Sequence, residues 1–481
     1  MTVGTENTKW GEVLMVMPTG EGHVRPLMYV AKGLMERGVS ITVVVTEDQR
    51  GIAEKKVDSK YLEAGGLMNF ELVKVGNMGP KDDGMKERAA FMERVSEPHL
   101  EKLLADQKSG HVRMPKCIVA DQFLGWTQVW ANKLGIPRYV SFPSPAAYAV
   151  AMLCHGSVEC QLEHVSEQED PDFVFNLPRL PLELHKTDLP KSFLSNTSFR
   201  TEVVDRSGDS FKEAAGILFN TFYELEREAI DAFQANVDKM NAPGKVTRML
   251  PIGPMLPPAF FKEAAFEDET AKNNKCIQWL DSRPASSVLY IAFGSWAYLT
   301  PHQIEELANA LEATKVPFLW ILRLQGSPDK SKSVEDILPP GFLERTQHQG
   351  FIYSEFAPQL HILSHPSTGG FLTHCGWNSS MESICRGVPM VGWPNRAEQG
   401  LCCRVLVDLA KAAIEVTKGE NELAGRKDLE KAITVLMKEP QGQELKRRAT
   451  ELQRLARASV SPGGSSHRSF EQFVKDICEQ P

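Results

Sequence analysis

Short, nearly continuous apolar runs alternate with stretches of helical periodicity along most of the chain. Residues 12–17 (EVLMVM) stop at Pro18-Thr19-Gly20. Residues 26–37 then repeat apolar positions every three or four residues, with Leu27, Val30, Ala31, Leu34 and Met35 on one face and Gly38 as the closing residue. Residues 40–46 (SITVVVT), 117–120 (CIVA), 138–142 (RYVSF) and 216–220 (GILFN) continue as strands. A second series begins at 287–293 (SVLYIAF) and runs through 318–322, 350–353, 370–373 and 389–392. Strands apolar on both faces and separated by helices predict parallel sheets covered on both sides. The expected class is therefore α/β, with two doubly wound, Rossmann-like sheets whose ligands gather at the carboxyl ends of the strands, in a shared interdomain cleft.

Length supports the division, because 481 residues exceed the roughly 250–300 that one core accommodates. Residues 1–250 form the first domain in this reading and 275–458 the second. Residues 251–274, rich in Pro, Ala and acidic side chains, link them, and 459–481 form a terminal segment with a helix. A net charge of −8 argues against a nucleic-acid partner, which needs a basic face. The first apolar run is too short for a signal peptide, and no uninterrupted run approaches the ~18 apolar residues of a membrane span. Nine scattered cysteines without a Cys-x-x-Cys point to reduced thiols. A cytoplasmic monomer without stable membrane insertion is expected.

Two constellations carry chemistry. In the first, strand 370–373 runs through His374-Cys375-Gly376 into a helix that starts near Trp377 and stops at Gly387. A helix N-terminus after a strand offers free N–H groups and a positive dipole end to an anion. Asn378 and Ser379 add donors there, and His374 adds another, neutral or cationic. Glu382 follows one turn on; a carboxylate avoids phosphate but suits a ribose diol. In the second constellation, His23 and Asp121 each follow a strand of one sheet and can converge. A neutral imidazole can take the proton of an alcohol, and a carboxylate on its other nitrogen fixes the tautomer and stabilises the imidazolium.

Residues 356–399 (FAPQLHILSHPSTGGFLTHCGWNSSMESICRGVPMVGWPNRAEQ) resemble the secondary product signature of plant family 1 UDP-dependent glycosyltransferases, through A-P-Q, H-C-G-W-N-S, G-V-P and the closing acidic-Gln pair. The likeness extends along most of the chain, with NTFYELE at 220–226 and GGSS at 463–466 as smaller matches. It implies the GT-B fold, with an acceptor-binding N-terminal domain, a UDP-sugar-binding C-terminal domain and a terminal helix packed back on the N-terminal domain. It implies inverting transfer of glucose from UDP-glucose to a hydroxyl of a small lipophilic metabolite (phenolic or flavonoid, terpenoid or hormone), without a metal or other cofactor. Nitrogen, sulfur or carbon acceptors, UDP-galactose or UDP-xylose as donor, and a non-catalytic UDP-binding role are the alternatives.

Carried over position by position, the resemblance makes His23 the base and Asp121 its partner, from G-H-x-x-P at 22–26 and V-A-D-x-F at 119–123. Phe356 stacks on uracil, Ala357 bonds its edge through the backbone, and Gln359 and Glu382 hold the ribose. His374, Gly376, Asn378, Ser379 and, from a second loop, Ser295 cradle the pyrophosphate. Trp377, Glu398 and Gln399 address the sugar. Phe356 stands where the family usually has Trp, and Glu398 where it usually has Asp, beside the unusual Asn395-Arg396-Ala397. Gln399 favours glucose, and Trp377 is not the Arg of some glucuronate users.

Other features are weaker. His361, His365 and His374-Cys375 match no zinc spacing. Gly20-x-Gly22, with Glu47 and Asp48 beyond the second strand, imitates a dinucleotide fingerprint, but its third glycine would fall on Arg25. Asp170-Pro171-Asp172 spells a cation-holding D-x-D but lies in an acidic loop with no preceding strand. Ser144 is a candidate for approaching the sugar. Loops within 79–93, 146–159 and 180–195, with Met85, Phe91, Phe142, Met152, Leu153 and Phe193, are expected to line the acceptor pocket.

Overall fold

The computed structural model describes residues 12–18, 20–55, 59–63, 66–72, 85–109, 114–154, 165, 167–168, 170, 173–194, 200–241, 243–261, 273–294, 299–323, 333–417 and 423–479. Contacts divide the chain into two units. One comprises Met1–Lys186, Lys191–Leu256 and Ser459–Pro481; the other comprises Thr187–Pro190 and Pro257–Ala458. Of the stretch read as a linker, 262–272 lies outside the described residues.

The first unit is built on β1 (Val13–Val16), β2 (Ile41–Val45), β3 (Met68–Leu72), β4 (Cys117–Asp121), β5 (Arg138–Phe142), β8 (Gly216–Phe219) and β9 (Arg248–Pro251). They form one parallel sheet in the order β3-β2-β1-β4-β5-β8-β9. A separate antiparallel hairpin pairs β6 (Val174–Asn176) with β7 (Glu183–His185). The apolar runs are continuous because successive side chains enter different cores. Val13 and Met15 join a cluster with Leu27, Leu34, Phe473 and Ile477, whereas Leu14 and Val16 join one with Trp126, Trp130 and Leu134. Phe473 and Ile477 come from the terminal helix Ser465–Cys478, which Arg37 also holds through Glu471 at 2.6 Å.

The second unit contains β10 (Val288–Ala292), β11 (Phe318–Ile321), β12 (Gly350–Tyr353), β13 (Thr368–Thr373), β14 (Met390–Gly392) and β15 (Ala413–Glu415). These are parallel in the order β12-β11-β10-β13-β14-β15. The segment Thr187–Pro190 belongs here: Arg404 lies 3.9 Å from Asp188 and also pairs with Glu415. Both sheets are doubly wound, as expected. Strand order reverses between β1 and β4 in one and between β10 and β13 in the other.

Two local expectations change. The first helix spans Glu21–Met35, so it begins five residues before Pro26 and contains that proline. Glu21 in its first turn suits the positive end of the dipole, which offsets part of the backbone bond that proline cannot donate. His23 consequently sits on a helical turn, not in a loop. Three edge or outer strands, β3, β9 and β15, have no counterpart in the apolar pattern, because a strand at the margin of a sheet needs no unbroken apolar run.

Candidate active site

In the first unit, parallel pairing of Val16 with Ala120 brings the ends of β1 and β4 side by side. His23 and Asp121 meet there, with Nδ1 2.8 Å from Oδ2. Asp121 is 1% exposed and His23 20% by side chain, so the carboxylate is fixed inside while the ring keeps an open side. The other carboxylate oxygen accepts the backbone N–H of Phe123 at 3.0 Å, and the Phe123 ring lies 5.5 Å from the imidazole. A carboxylate can only accept, so Nδ1 must donate and the lone pair of the neutral ring falls on Nε2. The arrangement can draw a proton from a hydroxyl at that nitrogen.

In the second unit, the corresponding reversal lies between β10 and β13. His374 follows β13 and is 8% exposed. Its ring fits because two neighbours have no side chain: a Cβ on Gly376 would lie 2.4 Å from Nε2, and one on Gly294 would lie 2.8 Å away. Burial pulls its pKa down to about 4, against a bond to the Ala292 carbonyl that favours the proton. Of the two forms open to it in the sequence, the ring is therefore neutral at pH 7, and its single N–H is engaged by the Ala292 carbonyl. Ser295 lies outside the described residues.

The helix Trp377–Cys385 starts directly after Gly376, its N-cap. Asn378 and Ser379 are half-buried in its first turn. Ser379 and Glu382 both receive the side-chain amide of Gln359, at 3.0 and 2.6 Å. The oxygen of that amide accepts from the Tyr290 hydroxyl at 3.0 Å. Gln359, Ser379 and Glu382, chosen separately from the sequence, thus form one network. Tyr290 was not among the candidates. It lies inside the apolar run of β10, where its only signal is that a buried phenol needs a partner.

Phe356 is 68% exposed, presenting an aromatic face, while Ala357 beside it is buried. Trp377 is only 3% exposed, so most of its indole is packing surface. Glu398 is half-buried at the start of the helix Gln399–Arg404. Gln399 is largely buried, and its side-chain oxygen accepts the backbone N–H groups of Asn395 and Arg396, each at 3.0 Å. Only its NH2 is left to address a ligand.

Several weaker candidates look different in three dimensions. Phe142, Met152, Leu153 and Phe193 are buried core residues; Phe142 packs on Tyr148, Phe211 and Phe219, and Phe193 on Tyr148. The side chains of Met85 and Phe91 lie outside the described residues, as do those of Glu47 and Asp48, and residues Pro171 and Asp172. Ser144 is buried, 3.5 Å from the Gln122 amide. Among the described residues, no group of three His, Cys, Asp or Glu side chains is disposed to hold a metal, and no helix is long and apolar enough to cross a membrane.

The profile of the family described as UDP-glucoronosyl and UDP-glucosyl transferase matches residues 253–457. A limonoid UDP-glucosyltransferase of Citrus unshiu is 30% identical over 99% of this chain and 91% of its own length. A scopoletin glucosyltransferase of Nicotiana tabacum is 30% identical over 95% of each. The solved complex of 3,4-dichloroaniline with a UDP-glucosyltransferase from Polygonum tinctorium capable of glucosylating indoxyl has a TM-score of 0.80 at 28% identity, covering 97% of this chain and 98% of that one. With these likenesses along its length and two parallel-sheet units of the GT-B kind, the chain belongs to the plant family 1 UDP-glycosyltransferases.

Proposed function

We propose that this UDP-glycosyltransferase transfers glucose from UDP-glucose to a hydroxyl of a small lipophilic molecule, with inversion at the anomeric carbon. The observation that carries the proposal is the His23–Asp121 pair: an open imidazole whose Nδ1 is held at 2.8 Å by a buried carboxylate. In the proposed reaction Nε2 takes the acceptor proton as the acceptor oxygen forms its bond to the anomeric carbon. The bond from that carbon to the β-phosphate oxygen breaks, and its electron pair leaves with UDP. Asp121 balances the imidazolium that results.

The leaving diphosphate would be received by the N–H groups of the Trp377–Cys385 helix and by Asn378 and Ser379, with the buried His374 ring shaping the turn that precedes that helix. Phe356 would stack on the base with Ala357 at its edge, and Glu382 with Gln359 would take the ribose hydroxyls. Glu398, the edge of Trp377 and the NH2 of Gln399 would read the sugar. Relatives named for a limonoid and for scopoletin support a small apolar acceptor. Glu398 keeps galactose and xylose as donors to be compared, because its extra methylene changes the reach of the carboxylate.

The test is incubation with UDP-glucose, UDP-galactose and UDP-xylose, each with a panel of phenolic and terpenoid alcohols in EDTA, read by mass spectrometry and by NMR of the anomeric proton. Hexosylated products of inverted configuration, formed fastest from UDP-glucose, are expected. UDP binding without product from any donor would overturn the catalytic reading.

A further inference from the structure

We propose that Tyr290 is a positioning residue for the nucleotide: its hydroxyl locks the Gln359 side chain in the one orientation that presents a donor to Glu382, and so sets the protein's preference for a nucleotide with ribose hydroxyls. This rests on the assignment of Glu382 and Gln359 to the ribose made above.

The geometry leaves Gln359 two choices. In the arrangement present, its oxygen accepts from Tyr290 at 3.0 Å and its NH2 donates to Ser379 at 3.0 Å and Glu382 at 2.6 Å. Turned over, the amide would set an oxygen against the Glu382 carboxylate and an NH2 against the Tyr290 hydroxyl. Neither the carboxylate nor the carbonyl oxygen has a proton to share, so the contact with Glu382 is lost, and although the phenol oxygen could accept the NH2, its own buried proton would lose the Gln359 acceptor. Tyr290 can hold its part because it is itself immobile. It sits in the middle of β10 at 1% exposure, and its ring stacks on Phe371 of β13 at 4.9 Å with an interplanar angle of 18°. Burial first, and the negative charge of Glu382 second, hold its hydroxyl well above the ordinary range, so it remains a donor at any physiological pH.

The consequence is a relay from the sheet core to the carboxylate. Without the phenol, the Gln359 oxygen is short of a donor and the amide is free to rotate. Glu382 then loses a bond of the charge-assisted kind, one of the stronger sorts in a half-buried site. A diol bound by that carboxylate should sense the loss, whereas a base stacked on Phe356 and phosphates at the helix end should not.

The experiment compares UDP with its 2′,3′-dideoxy analogue by calorimetry on the full-length protein. Wild type should favour UDP. Tyr290→Phe keeps the ring and its stacking, and should cut that preference roughly tenfold through UDP alone, leaving the dideoxy affinity within about twofold. In a Gln359→Met background, adding Tyr290→Phe should change nothing further, since the phenol would act only through that amide. A preference that survives Tyr290→Phe, an equal loss for both ligands, or a further drop in the Gln359→Met background would overturn the relay. Wild type that fails to bind UDP would overturn the nucleotide reading and the relay together.

Discussion

The two sheets reverse their strand order in the same way, and the residues facing each other across the two reversals differ. At the β1/β4 reversal His23 meets Asp121 at 2.8 Å; at the β10/β13 reversal His374 meets Gly294, where even a Cβ would come within 2.8 Å of the ring. The first imidazole is partly open and has an acid to balance a proton. The second is buried among glycines, with its pKa drawn down to about 4. A shared topology delivers an imidazole to a switch point in both units, but the first has a carboxylate beside it to balance charge, whereas burial keeps the second neutral. One suits proton transfer, and the other, its single N–H held by the Ala292 carbonyl, suits bracing the turn at the helix end without competing as a base.

Removing the charge-balancing side of the comparison should have the largest effect. His23→Ala should lower kcat on the order of 10³-fold, with Asp121→Asn in the same direction, while calorimetric UDP affinity stays within about twofold. Near-normal turnover in both would mean that the pair is not the base.

Crowding the other histidine should have a smaller effect of the opposite kind. Gly376→Ala brings a methyl to 2.4 Å from His374 Nε2, so the ring must shift. UDP binding should weaken roughly tenfold, the size expected of overpacking by one methyl, with the His23–Asp121 pair unaltered. Unchanged UDP affinity, measured by calorimetry, would detach His374 from the phosphate site.

The smallest effects are on stability, and each unit has its own sign. Glu226, fully buried in the first unit, has its pKa raised from 4.5 to about 7 by burial, against the Thr221 hydroxyl and the amides of Ala146 and Ala147. Its folded form keeps a proton that the unfolded chain has already lost, so stability falls as pH rises through that window. His374 behaves oppositely: between 6.5 and about 4 the unfolded ring binds a proton that the folded ring refuses, so stability falls on acidification. Relative to wild type, Glu226→Gln should gain stability as pH rises, and His374→Gln as pH falls. Each slope is at most about 1.4 kcal/mol per pH unit in urea titrations. Parallel pH profiles for wild type and both variants would contradict these burials.

Much of the second unit's candidate site falls in one stretch of sequence, because 356–399 passes from one strand end to the next and returns to the same edge of the sheet. The β13–helix turn depends on local order, and local order is what a sequence displays. The acceptor side was less legible. Phe142, Met152, Leu153 and Phe193 look like a lining when read along loops, yet they are core residues; an apolar side chain carries no mark of which side of a wall it faces. The early start of the first helix was hidden by Pro26, since a local rule against internal proline gave way to tertiary packing of Leu27, Val30 and Leu34.

By itself, the sequence determined the doubly wound class, the family and the positions of His23, Asp121 and the residues around the Trp377–Cys385 helix. Periodicity, turn chemistry and motif spacing are properties of neighbouring residues. Tertiary structure alone decided that His374 is neutral, that Gln399 uses its oxygen on its own loop, and that Tyr290, Gln359 and Glu382 form one chain of hydrogen bonds. Those outcomes depend on burial and on which groups from distant strands come within about 3 Å of one another, and neither is written in local order.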